Sequence, residues 1–196
     1  MVVRFELLML AYLMGSIPTA LIVSRYLTGM DIRLMGDGNM GARNTKRVLG
    51  WRAGILVAGT DFFKGAIVII LARNMQMNLT WQLAAGCAAV IGHDFPIFAH
   101  FKGGQGMATS LGTMSVLFFE ETLIGLVFFG LIYMITRHFD LSAGCGLTLM
   151  AYLLVRNRQA FSLLAYTVVL FLSIPVKKMW DAHHRFAQKD MILRNT

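Results

Sequence analysis

The sequence predicts an all-α integral membrane protein, a seven-helix transmembrane bundle with cytoplasmic glycine-rich loops, and three observations support that class. Of 196 residues, 57% are hydrophobic and only 14% charged, with a mean hydropathy of +0.63, beyond ordinary soluble composition. Apolar stretches of bilayer-crossing or near-crossing length recur along the chain. Lysine and arginine are distributed unevenly between the segments joining those stretches, as a fixed orientation in a membrane requires. The chain, 1–196, is expected to be a single domain with no soluble part attached.

Spans are predicted near 5–24, 54–72, 79–98, 106–120, 122–136, 141–155 and 160–177. The first lacks a basic n-region and a small-residue cleavage site, so it reads as a retained span. Inside it, Gly15-Ser16-Ile17-Pro18 predicts a kink, because proline removes a backbone donor and glycine loosens the helix. The second span carries Asp61 and Lys64 at i,i+3, on one face, where they neutralise each other. Either charge alone at mid-bilayer would cost about 2.5–3.5 kcal/mol, so the pair must face protein or water. Gly54, Gly59 and Gly65, and later Gly125 and Gly130, suit closely crossing helices. Only Glu120-Glu121 and Arg137-His138-Phe139-Asp140 separate the fourth to sixth spans, which predicts tight helical hairpins.

Placing the N-terminus outside puts thirteen lysines and arginines on the inner side and four, Arg4, Arg73, Arg156 and Arg158, on the outer side. That bias predicts a cytoplasmic C-terminus in a bacterial inner membrane. Cys87 and Cys145 lie in apolar helical sequence without CxxC or CxxH spacing and read as packing residues. His93, His100, His183 and His184 lack cysteine partners and an HExxH pattern, so no metal is expected.

Two segments interrupt this apolar pattern, 36–47 and 92–106, both rich in glycine and basic residues and both on the predicted cytoplasmic side. Such backbone at a membrane must be buried in protein or line a wet cavity, since its N–H and C=O groups need partners. Gly36, Gly38 and Gly41 have GxGxxG spacing, but the strand and βαβ unit of a dinucleotide fold are missing. What remains is anion chemistry: glycines let amides converge on an oxyanion while arginine and lysine supply charge. Two such loops suit two phosphate groups, or one phosphate and an acyl carbonyl. With a formal charge of +8 in so apolar a chain, no nucleic-acid partner is expected.

Gly15-Ser16-Ile17-Pro18, Asp31-Ile32-Arg33, Gly36-x-Gly38-Asn39-x-Gly41-Ala42, Asn44, Arg47-x-Leu49-Gly50, Asp61-x-x-Lys64-Gly65, Gly92-His93 and Phe101-Lys102-Gly103-Gly104-x-Gly106 with Ala108-Thr109 stand in one order. Together with Leu141-Ser142-Ala143 they resemble the acyl-phosphate:glycerol-3-phosphate acyltransferase family (PlsY type). The resemblance implies a seven-helix inner-membrane enzyme, without a cofactor, whose substrates are acyl phosphate and glycerol 3-phosphate. It would acylate the 1-hydroxyl to give lysophosphatidic acid, with membrane lipid as a partner and the helices offering the acyl chain a route from the bilayer. Its catalytic positions are matched by Asn39, Arg47 and Lys102. The substrate-binding positions it implies are Gly36, Asp37, Gly38, Gly41, Asn44, His93, Gly103, Gly104, Gln105, Gly106 and Ser142.

The chain departs from the family pattern at four places. Asp37 replaces the usual serine, Arg43 a threonine, and Gln105 the second lysine of Lys-Gly-Gly-Lys-Gly. At the C-terminus, His183-His184-Arg185-Phe186-Ala187-Gln188 stands where Arg-His-x-Glu-Asn is usual. Like charges at 4 Å repel by about 1 kcal/mol in water and about 4 kcal/mol at an effective dielectric of 20, so a carboxylate at 37 opposes phosphate unless Arg43 pairs with it. These departures leave a non-catalytic relative open: a lipid-binding protein or a subunit working with a membrane-protein partner. A small-solute transporter would need repeats, and no inverted repeat is visible.

Overall fold

The computed structural model describes residues 2–194, with side chains described for 2–183; the side chains of His184 and of the tail beyond it lie outside the described residues. The regular structure within those bounds is helical. The first predicted span is two helices, α1 (Val2–Gly15) and α2 (Thr19–Thr28), broken at the predicted kink because Pro18 has no N–H to continue α1. A 3₁₀ turn at Ile32–Leu34 and the short helix α3 (Ala42–Leu49) follow, then α4 (Trp51–Asn74) and α5 (Leu79–Asp94). Asn78 caps α5 by accepting from the Trp81 N–H at 3.2 Å. The predicted third span ran to residue 98, but Pro96 ends it, and a 3₁₀ turn at Ile97–Ala99 takes over. The chain finishes with α6 (Met107–Leu117), α7 (Phe119–Thr136), α8 (Phe139–Arg156) and α9 (Phe161–Arg194).

Among the described residues, five segments are long and apolar enough to cross a membrane: Val2–Thr28 taken together, α4, α7, α8 and the first part of α9, Phe161–His183. Helices α5 and α6 are apolar but shorter, at 16 and 11 residues. The hairpins predicted between later spans are tight: one residue separates α6 from α7, and two separate α7 from α8.

Glycine sets two of the closest crossings. A Cβ on Gly112 of α6 would lie 1.9 Å from the Phe62 carbonyl oxygen of α4, and one on Gly65 would lie 2.1 Å from that of Thr109. Between α1 and α5, Cβ atoms on Gly15 and Gly92 would lie 2.0 and 2.2 Å from the carbonyl oxygens of Ala89 and Tyr12. Only hydrogen fits there, which lets the backbones touch. Of the glycines predicted to serve such contacts, Gly54, Gly65 and Gly125 do so, whereas Gly59 and Gly130 have nothing within 4 Å of a Cβ position.

The intramembrane charges are paired as predicted. Lys64 donates to Asp61 at 2.7 Å, with their side chains only 8% and 2% exposed. The ammonium also donates to the Ile17 carbonyl, which lies at the α1–α2 break. The kink therefore answers a charge on another helix. His93 at the end of α5 completes the group, its Nδ1 3.7 Å from Asp61 Oδ1.

Candidate active site

The first glycine-rich segment folds around Asn44. Gly36 and Gly38 take positive φ of 61° and 72°, the left-handed region, and the Gly38 N–H donates to the Met35 carbonyl to close a turn. A side chain at Gly36 would meet Asn44 Oδ1 at 2.1 Å. Asn44, fully buried on α3, accepts from the Asp37 N–H at 3.0 Å and donates to the carbonyls of Met35 and Asn39 at 3.0 and 3.1 Å. Both amide hydrogens are spent on the loop. Asn44, anticipated as a substrate contact, is thus placed to brace the loop.

The second segment closes onto the end of α5. The Gly104 N–H donates to the His93 carbonyl at 3.1 Å, satisfying one of the carbonyls that a helix C-terminus leaves open. Cβ atoms on Gly103 and Gly104 would strike the His93 carbonyl and His93 Nε2, each at 2.1 Å. These two glycines, expected to offer amides to an anion, serve close packing against His93. Arg33 joins the two segments: it pairs with Asp31 at 2.6 Å and donates to the Ala99 carbonyl at 3.0 Å. That guanidinium holds the Asp31 carboxyl down at about 2.

A cavity of about 570 Å³ lies between α3, α4, α6, α7, α8 and α9. Its polar limb is lined by Gly41-Ala42-Arg43, where α3 begins, and by Gly106-Met107-Ala108, where α6 begins. Neither helix start has a side-chain cap. Two helix N-termini with uncapped amides on one space favour an anion. Two buried polar atoms on the same wall, Asn39 Oδ1 and Ser110 Oγ, have no protein partner, and a buried polar atom without one calls for a ligand or water. Arg43, Lys46 and Lys178 add positive charge. The other limb is apolar, with Leu126, Phe129, Leu147, Met150 and Leu170 from α7, α8 and α9. One end suits a charged headgroup and the other a hydrocarbon chain.

Of the residues expected at the site, Asn39, Gly41, His93, Gln105 and Gly106 share this cavity. Arg47, Lys102 and Ser142 are not on its wall. Arg47 instead pairs with Asp37 at 3.4 Å, the partnership expected of Arg43. Arg43 reaches across to α8, pairing with Asp140 at 3.3 Å and lying 5.1 Å above the Phe139 ring. Its direction follows from its place in the first turn of α3, beside the N-terminus of α8. Lys102 is exposed, and Ser142 is buried, its hydroxyl donating to the His138 carbonyl at 2.8 Å in the α7–α8 turn. Sequence reasoning missed Ser110, Asp140 and Lys178. Ser110 lies one residue past the Ala108-Thr109 motif and Asp140 one residue before Leu141-Ser142-Ala143, whereas Lys178 sits far along the chain with no local pattern.

The profile of the family described as Glycerol-3-phosphate acyltransferase matches residues 5–187. Glycerol-3-phosphate acyltransferase 1 of Dehalococcoides mccartyi is 38% identical over 180 residues, covering 89% of this chain and 86% of that protein. Glycerol-3-phosphate acyltransferase 2 of Bacillus anthracis is 36% identical over 168 residues, covering 85% and 88%. The crystal structure of PlsY (YgiH), an integral membrane glycerol 3-phosphate acyltransferase, in its glycerol 3-phosphate form superposes with a TM-score of 0.83 at 28% identity. That match covers 94% of this chain and 92% of the other. The lysophosphatidic acid form superposes with a TM-score of 0.80. By sequence profile, relatives and fold, this chain belongs to the glycerol-3-phosphate acyltransferase family.

Proposed function

We propose that the chain is a single-domain, seven-span inner-membrane enzyme that moves a fatty acyl group from acyl phosphate to the 1-hydroxyl of glycerol 3-phosphate. The observation that carries this reading is the two-limbed cavity, in which uncapped helix N-termini, Asn39 and Ser110 meet a hydrocarbon-lined groove. The hydroxyl oxygen attacks the acyl carbonyl carbon, an oxyanion forms, and the C–O bond to phosphate breaks as the ester forms. The departing phosphate takes up the hydroxyl proton, so no covalent enzyme intermediate is required. Catalysis then rests on positioning the two phosphates and on amide dipoles fixed before the reaction.

In this assignment Asn39, Gln105, Gly41 and Gly106 contact substrate. Asn44, Gly103, Gly104 and His93 hold the loops in shape, and Arg47 keeps Asp37 turned aside. Lys102 provides charge on the approach to the site, and Ser142 fastens the α7–α8 turn. Helices α5 and α6 complete the seven crossings. The arginine and lysine bias supports an outer N-terminus, with the cavity's polar mouth on the cytoplasmic side.

The test is turnover by purified protein with acyl phosphate and labelled glycerol 3-phosphate, beside acyl-coenzyme A as rival donor. Lysophosphatidic acid formed from acyl phosphate alone supports the reading. Absence of product with either donor across a panel of acceptors supports the non-catalytic relative instead. Orientation is read by placing single cysteines at 102 and 158 in a cysteine-free background. A membrane-impermeant thiol reagent added to intact cells should label position 158 and spare 102.

A further inference from the structure

Three cations, Arg43, Lys46 and Lys178, stand on the cavity's polar wall, and one carboxylate, Asp140, stands between two of them. Asp140 Oδ1 lies 3.3 Å from Arg43 NH1, and Asp140 Oδ2 lies 2.6 Å from Lys178 Nζ. The other carboxylate on the wall, Asp61, is already answered by Lys64. The mouth thus carries three positive charges against one negative, and the surplus matches a phosphate monoester, which carries roughly −1.5 to −2 near neutral pH.

The bridge is solvent-accessible, with Asp140 64% exposed and its partners 36% and 46% exposed. Exposed pairs of this kind are weak, whereas charge-assisted contacts from cations to phosphate are strong, so an arriving phosphate can displace the carboxylate. Arg43 is steadied from below by the Phe139 ring, which leaves its guanidinium at the mouth when Asp140 is released. Gln105 lines the same wall without charge, so these cations, carried on α3 and α9, supply what position 105 does not.

We propose that Arg43 and Lys178 are phosphate-binding residues held ready by Asp140, a stand-in anion that the substrate phosphate displaces. This rests on the acyltransferase reading and goes beyond it by assigning headgroup charge to Arg43, which departs from the family pattern, and to Lys178, which lies outside the family motifs. Glycerol 3-phosphate and acyl phosphate share the phosphate chemistry, and the test separates them.

Steady-state kinetics of the full-length protein in lipid bicelles are measured with each substrate varied in turn. Calorimetric binding of glycerol 3-phosphate and inorganic phosphate is measured on the same preparations. Arg43→Thr and Lys178→Met should raise KM for one of the two substrates roughly tenfold or more while kcat changes less. Which KM rises identifies the phosphate held. Lys178→Arg should stay near the parent, Gln105→Lys should recover binding in the Arg43→Thr background, and Asp140→Asn should lower the same KM by removing the competitor. Unchanged KM and unchanged affinities in both cation variants overturn the proposal, as does Asp140→Asn weakening binding as much as loss of a cation. Absence of turnover by the parent protein counts against the acyltransferase reading, and the binding measurements then still decide the role of the cations.

Discussion

Asp61 and Asp140 each sit between two basic side chains on the wall of one cavity, yet they belong to different physical regimes. Asp61 lies against Lys64 and His93 beneath the α1–α2 break, 2% exposed, with Lys64 tied also to the Ile17 carbonyl. Asp140 joins Arg43 and Lys178 at the mouth, in reach of water. In the first case the charges cannot be resolvated, so the group works as a unit and holds three helices together. In the second, water and ligand compete on nearly equal terms, so the same chemistry becomes exchangeable. Burial, more than distance, separates a structural ion pair from one that can yield to substrate.

The largest effect should come from breaking the inner group. Asp61→Ala strands a buried ammonium and should cost about 3–5 kcal/mol, read as loss of thermal stability in detergent. The double variant Asp61→Leu with Lys64→Met should recover most of that loss, because it leaves no buried charge. Recovery no better than Asp61→Ala alone would mean that the pair does more than neutralise itself.

Next in size is the α4–α6 crossing beside that group. Gly112→Ala drives a methyl group into the Phe62 carbonyl and should destabilise by about 1–3 kcal/mol as α4 and α6 separate. The matching change at Gly130, which faces open space, should be close to neutral.

Asp31 with Arg33 offers an intermediate case, their side chains 18% and 20% exposed. Because the folded carboxyl is held at about 2, below its ordinary 3.8, its contribution is complete above about pH 4 and is lost as pH falls toward 2. Asp31→Asn should remove up to about 1–2 kcal/mol of that acid dependence, measured by unfolding between pH 5 and pH 2. The smallest change should follow Asp140→Ala, with stability kept within about 1 kcal/mol of the parent. A loss comparable to that of Asp61→Ala would erase the distinction between the two carboxylates.

Local chemistry explains which parts of this arrangement were legible in the chain. Pro18 follows Gly15 and has no N–H to continue α1, and the i,i+3 spacing of Asp61 and Lys64 fixes their shared face once that segment is helical. The family motifs identified both loops. They do not separate the jobs of individual residues, because a glycine needed for close approach and a glycine needed for anion contact look alike in sequence. Gly103 and Gly104 are of the first kind, and Gly41 and Gly106 line the cavity. Helix α3 was also hidden inside the first glycine-rich segment. Its register sends Lys46 to the cavity and Arg47 to Asp37, a choice between adjacent residues that charge counting cannot make.

The sequence by itself determined the membrane class, the helix break, the inner ion pair and the family, because hydropathy, proline geometry, helical spacing and ordered motifs are local properties. Only the tertiary structure decided which cations share a wall. Arg43, Asp140 and Lys178 lie far apart along the chain and meet because α3, α8 and α9 pack together around one cavity. Charge acts through distance and dielectric, and both are set by packing rather than by order in the chain.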